Sequence, residues 1–194
     1  MPLTTGPLLA VPMPAARIAP SARVVGAAAA HILPIPLIGQ KGLNWCWAAC
    51  AQMVASAKFG AAAPSQCMMA SRIKQLSCCA SAQPPAPCDQ PLPASRITRL
   101  WIDLGFAAAQ MVAGKLEPDV VMRELLDGRP VQVGLTTPRS GHVVLVAGVD
   151  ASGQQYTVLD PAPVGAGTHT LTTAANLRSG LGQGTWSVSW NGIG

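Results

Sequence analysis

The chain has 194 residues, enough for one domain of ordinary size with a hydrophobic core. Only 11% of residues are charged, and the formal net charge of +5 is scattered without a Lys/Arg run, which argues against nucleic-acid binding. No stretch approaches the roughly 20 uninterrupted apolar residues of a spanning helix, so no membrane span is expected.

Taken from the amino terminus, residues 1–35 read as a leader or pro-segment ahead of a catalytic domain at 36–194. The leader is apolar and rich in Ala and Pro, but its first charge is Arg17. Pro2, Pro7, Pro12, Pro14 and Pro20 break any helix of a signal peptide, so a disordered leader, a pro-segment or a non-Sec export tail is expected instead of a cleaved signal. Residues 31–36 (HILPIP) are extended because proline pushes the residue before it out of the helical region. Residues 45–59 (WCWAACAQMVASAKF) hold no Gly or Pro and stop at Gly60, which predicts a helix with Asn44 as its N-cap.

A second short helix is predicted over 65–76. Residues 77–93 then carry five prolines and three cysteines, a loop that needs stapling. Helices follow over 94–104, with Ile97, Leu100, Trp101 and Leu104 on one face, and over 117–126, opened by Pro118 and stopped by Gly128. From Pro130 the pattern changes to valine-rich strands (VQVGLTT, HVVLVAGVD, QYTVLD), with a hairpin turn at 150–153 (DASG), a short helix over 172–178 and a last strand over 185–190. Helices first and strands second describe an α+β protein, with a helical half at 36–128 and a β half at 129–194.

The six cysteines, Cys46, Cys50, Cys67, Cys78, Cys79 and Cys88, suggest an oxidising compartment. With Cys46 set aside, two disulfides are expected among Cys67, Cys78, Cys79 and Cys88, leaving Cys50 free and buried. Three connectivities are possible, and the adjacent Cys78 and Cys79 are the least attractive pair. No Cys-x-x-Cys spacing marks a zinc site, so no metal and no other cofactor is expected.

Three segments carry chemistry. In residues 40–50 (QKGLNWCWAAC), a cysteine opening a helix meets unpaired backbone N–H groups and the positive end of the helix dipole, which favour a thiolate. Gln40, six residues upstream, is placed to join the Cys46 amide in an oxyanion hole. In residues 140–150 (SGHVVLVAGVD), His142 follows Gly141 at the start of a strand and suits the general base. His31, in the proline-rich approach, and His169, in a Gly/Thr-rich turn, do not. In residues 157–161 (TVLDP), Asp160 ends the next strand and can orient the imidazole, with Asn176 a second choice. Trp45 and Trp47 bracket the nucleophile. Core packing is expected for both, with Trp47 and Gly141 also near the substrate.

Gln40, Cys46-Trp47, Gly141-His142 opening a hydrophobic strand, and Asp160-Pro161 together resemble the papain-like cysteine peptidases. The NWCWAA block, Gln66-Cys67, Cys78-Cys79 and Cys88 are similar to a compact bacterial subgroup. That subgroup includes secreted staphopain-like proteases and a plant-immunity avirulence protease delivered by type III secretion. The resemblance spans roughly residues 36–190. It implies a helical half carrying Cys46, a β half carrying His142 and Asp160, and a peptide-binding cleft between them, with Gln40 in the oxyanion hole.

The sequence departs from plant papains in Asn44-Trp45 before the nucleophile, in a Cys46-to-His142 gap of 96 residues against roughly 130–150, and in Asp as the orienting residue. The implied function is a secreted or translocated bacterial thiol endopeptidase acting as a monomer on protein or peptide substrates. A glutamine deamidase or transglutaminase would use the same triad, and a catalytically silent module would keep only the fold.

Overall fold

A computed structural model describes residues 30–138 and 140–194. Among these residues the order is β1 (His31–Ile32), α1 (Cys46–Phe59), a 3₁₀ turn (Gly60–Ala62), α2 (Gln66–Lys74), α3 (Ala94–Asp103), β2 (Gln110–Ala113) and α4 (Pro118–Leu126). There follow β3 (Val131–Thr136), β4 (Gly141–Val149), β5 (Gln155–Asp160), β6 (Thr168–Thr173), α5 (Ala174–Arg178) and β7 (Thr185–Asn191). The strands form one antiparallel sheet in the order β2-β7-β3-β4-β5-β6, and β1 pairs with the far end of β4 through His31 and Val149. No helix among the described residues is long and apolar enough to cross a membrane.

The valine run of β4 shows no polar alternation because both faces of the sheet are covered. Val143, Leu145 and Ala147 join the core beneath α1 and α3, with Trp45, Trp47 and Trp101. Val144, Val146 and Val149 join the core on the other face, with Val121 and Leu125 of α4 and Leu177 of α5. Helix α1 lies against the sheet on residues with small side chains. Ala48, Ala49, Ala51 and Ala55 are fully buried, and the Cys50 thiol donates to the carbonyl of Val143 at 3.5 Å. Because α1 is buried through most of its length, it carries no polar stripe.

The four main helices and the β3, β4, β5 and β7 strands follow the sequence expectations, with shifts of one to two residues at their ends. β2 and β6 differ. The segment around His169, read as a turn, is strand β6, paired along β5. Both new strands lie at the edges of the sheet and are largely exposed, so neither has the apolar run that marks a buried strand. The last helix starts at Ala174, because the Thr173 hydroxyl caps it by accepting from the Asn176 amide. β1 and the buried Leu33 place residues assigned to the leader within the folded unit. Residues 1–29 of that leader lie outside the described residues.

The cysteines pair as Cys67–Cys79 and Cys78–Cys88, while Cys46 and Cys50 are free and buried. The two bridges tie the proline-rich 77–93 loop to α2 and to itself, which supplies the stapling that its composition demands. A thiol titration of unreduced protein in denaturant should find two free thiols, and six only after reduction. Six without reductant would rule out both bridges.

Candidate active site

Cys46 is the first residue of α1 and retains 8% of its surface. Asn44 does not cap this helix. Trp45 holds the cap position without a side-chain bond, and the Asn44 side-chain amide donates to the carbonyl of Asp89 at 3.0 Å. Competition from a distant loop explains the difference: the carboxylate of Asp89 already takes the backbone N–H groups of Leu43 (3.0 Å) and Asn44 (2.8 Å), which turns Asn44 away from the helix. The indoles on either side of the cysteine grip the same loop. Trp45 Nε1 donates to the carbonyl of Cys88 at 2.8 Å, and Trp47 Nε1 to that of Gln90 at 3.3 Å.

The other partners come from adjacent strands. His142 is the second residue of β4, and Asp160 ends β5, which pairs with β4. The Nε2 atom of His142 lies 2.7 Å from Oδ1 of Asp160, and His142 and Cys46 line the same pocket. Burial opposes a charged ring, but the bonds to Asp160 and Cys46 outweigh it and carry the His142 pKa up to about 9. Burial likewise opposes the Asp160 carboxylate. The bond from His142, the Ala162 N–H at 2.8 Å on Oδ1 and the Gln183 amide at 2.9 Å on Oδ2 outweigh it and hold its pKa below the usual range. The Cys50 thiol is pushed well up by burial, then by the charges of Cys46 and Asp160, so it stays protonated.

A pocket of about 140 Å³ opens beside this constellation. Cys46, Trp47, Pro91, Leu92 and Ile97 line one side, and Gly134, Gly141, His142, Val143, Val188 and Trp190 the other. Trp47 and Gly141 therefore both border it, and Trp47 is otherwise buried in the core. Gly134 is needed at the pocket floor, where a Cβ would run into Val188 and lie 3.2 Å from the Trp190 ring.

Gln40 is buried and does not line the pocket. Its Nε2 donates to the carbonyls of Gly42 and Leu43, each at 2.9 Å, and its Oε1 has no partner. His169 faces solvent on β6, and Asn176 is bonded to Thr172 at 2.8 Å, so neither is at the site. Sequence reasoning did not single out Asp89 or Gln183. Gln183 sits in a glycine-flanked loop (GLGQG) with no periodic signal, and only the fold brings it to Asp160.

A family model described as the papain-like cysteine protease AvrRpt2 matches residues 30–174. No curated protein matches the chain. Among solved structures, the crystal structure of UfSP from C. elegans superposes with a TM-score of 0.51 at 16% identity. The match covers 84% of this chain and 33% of that one, so the chain spans about a third of its length. At that identity the likeness bears on fold alone. The buried helix opened by cysteine, the histidine on an antiparallel sheet and the cleft beside them agree with the family match. The chain belongs to the AvrRpt2 family of papain-like cysteine proteases.

Proposed function

We propose that this cysteine protease is an endopeptidase whose nucleophile, base and orienting residue are Cys46, His142 and Asp160. The observation that carries this reading is the His142 imidazole, bonded to Asp160 at 2.7 Å and lining one pocket with the cysteine that opens α1. Deprotonated by His142, the Cys46 sulfur attacks the peptide carbonyl and forms a tetrahedral intermediate. The Cys46 N–H, at a helix N-terminus where amides lack intrahelical partners, is one oxyanion donor, and Gln40 is the proposed second, giving up its bond to the Gly42 or the Leu43 carbonyl to turn an N–H toward the oxyanion. The imidazolium then protonates the departing amine. Water, activated by the same ring, hydrolyses the thioester and releases the acid product.

The pocket beside Cys46 is lined mainly by apolar side chains, so it suits an apolar substrate side chain near the cleaved bond. Trp47 and Gly141 are the proposed substrate contacts. Residues ahead of β1 are the proposed leader, and the remainder is the proposed catalytic domain, acting as a monomer. Two disulfides and membership of an avirulence-protease family support action outside the producing cell, as a secreted or translocated effector in virulence.

An epoxysuccinyl thiol label and intact-mass analysis test the reading together. The expected result is one adduct on Cys46 and cleavage of peptides with an apolar residue near the scissile bond. A gain of about one dalton in an uncleaved protein substrate would assign deamidation instead. No adduct in protein with a reduced Cys46 would make the chain a silent module.

A further inference from the structure

Asp89 lies between the half-cystine Cys88 and Gln90, in a loop closed by the Cys78–Cys88 bridge, and its side chain is turned toward the approach to the nucleophile. Its Oδ2 accepts from the Leu43 N–H and its Oδ1 from the Asn44 N–H. Those N–H groups belong to the peptide units that join Gly42 to Leu43 and Leu43 to Asn44. The carbonyls of the same two units accept the two bonds from Gln40 Nε2. Two consecutive peptide units are thus held from one edge by a carboxylate and from the other by the Gln40 amide. A charged acceptor on the N–H side polarises each unit and strengthens its carbonyl as an acceptor.

The close approach leaves no room for a side chain at position 42. A Cβ there would lie 2.7 Å from both Asp89 Oδ1 and Pro84 Cγ. Gln66 holds the start of the same loop, accepting from the Lys41 N–H at 2.8 Å and donating to the Gly39 carbonyl at 3.0 Å. The Gln40 backbone is fixed as well, with its N–H on the Pro161 carbonyl and its C=O on the Gly165 N–H, both at 2.8 Å. With those contacts made by other residues, the part left to Asp89 is the orientation of the 42–44 peptides, on which the Gln40 amide rests and from which the chain enters α1.

We propose that Asp89 is a positioning residue for the hydrolytic reaction: it sets, through the peptide units at 42–44 from which the chain enters α1, the Cys46 N–H that receives the oxyanion. The inference rests on the proposed function and adds a residue that touches neither substrate nor the reacting atoms. Its effect is confined to steps that build negative charge on the carbonyl oxygen. Attack of the Cys46 thiolate on a simple alkylating agent builds none, so Asp89 has no part in it.

The test compares the wild type with Asp89→Asn, which keeps the shape but supplies one acceptor where two are needed, and with Gly42→Ala, which forces the carboxylate away. Three readouts are needed: kcat and KM on a peptide ester or amide, inhibition by a peptide aldehyde, and the rate of Cys46 alkylation by iodoacetamide. Losing one oxyanion donor costs about 10²–10³ in kcat, so a displaced one should cost about 10- to 100-fold. Asp89→Asn should lower kcat by that factor with KM little changed. It should weaken aldehyde binding by a similar factor, because the aldehyde adduct carries the oxyanion, and leave alkylation within about twofold of the wild type.

Gly42→Ala should show the same split. A wild-type kcat in Asp89→Asn overturns the inference. So does a parallel fall in kcat and alkylation with a lower Tm, which would make Asp89 a structural brace only. A wild type that neither takes the label nor cleaves peptide fails the proposed function itself, and the inference with it.

Discussion

Cys46→Ala should abolish peptide hydrolysis, lowering kcat by about four to six orders of magnitude, as removal of a nucleophile from a mutually dependent set does. The substitution deletes one sulfur at the start of α1 and adds no bulk. Cys46 takes part in neither disulfide, so the fold should persist, with an unchanged far-UV spectrum. The epoxysuccinyl adduct should vanish with the activity, because the Cys50 thiol is fully buried and held protonated. Residual cleavage within tenfold of the wild type, or a label transferred to Cys50, would remove Cys46 from the nucleophile's role.

Asp160→Ala should lower kcat/KM by about 10²–10⁴ and also change the pH profile. The sign follows from the contacts. Asp160 is the first of the groups that raise the His142 pKa to about 9 against the opposing effect of burial. Without it the ring is left buried with only Cys46 as partner, its pKa falls, and the thiolate–imidazolium pair is lost at a lower pH. The alkaline limb of the activity profile should therefore move to lower pH in the variant. Asp160→Asn keeps an acceptor for the ring N–H but not the charge, so it should fall between wild type and Ala. An alkaline limb that stays in place in Asp160→Ala would show that the carboxylate does not govern the ring.

Stability should follow the same linkage. A histidine whose folded pKa is raised from 6.5 to about 9 stabilises the fold fully below pH 6.5 and loses that contribution as pH rises through 9. Asp160, whose pKa is lowered, contributes above the ordinary carboxylate value of 3.8 and loses that contribution as pH falls through its own depressed pKa. Thermal melts of the wild type and Asp160→Ala should therefore differ most between pH 3.8 and 6.5, where both contributions are present, and converge toward both extremes. Gln183 should share in this effect, since its amide meets the Asp160 oxygen opposite the one that His142 uses.

Much of this molecule could be read before its fold. Helix α1 has no breaker for fourteen residues and ends at a glycine with φ of +56°, so composition alone marks its end. The valine run of β4 is legible because burial on both faces requires an unbroken apolar stretch. Cys46, His142 and Asp160 stand at a helix start, a strand start and a strand end, and such positions show in local sequence. The choice of four cysteines for bridging, with Cys50 left free, was legible too, because it needed only a loop too rich in proline to hold itself.

What tertiary structure decided is whatever depends on two distant segments meeting. Bridge connectivity is one case, since three pairings share one sequence and only the path of the 77–93 loop selects Cys67–Cys79 and Cys78–Cys88. The cap of α1 is another: Asn44 is a good local N-cap, but a carboxylate 45 residues away takes its N–H and turns the segment. β2 and β6 are strands because β7 and β5 offer them edges to pair with, not because their own residues demand it. Local propensity and hydrophobic period are properties of a few consecutive residues and survive in the sequence. Hydrogen bonds between segments far apart in the chain depend on where the core brings those segments, and no short window of residues holds that information.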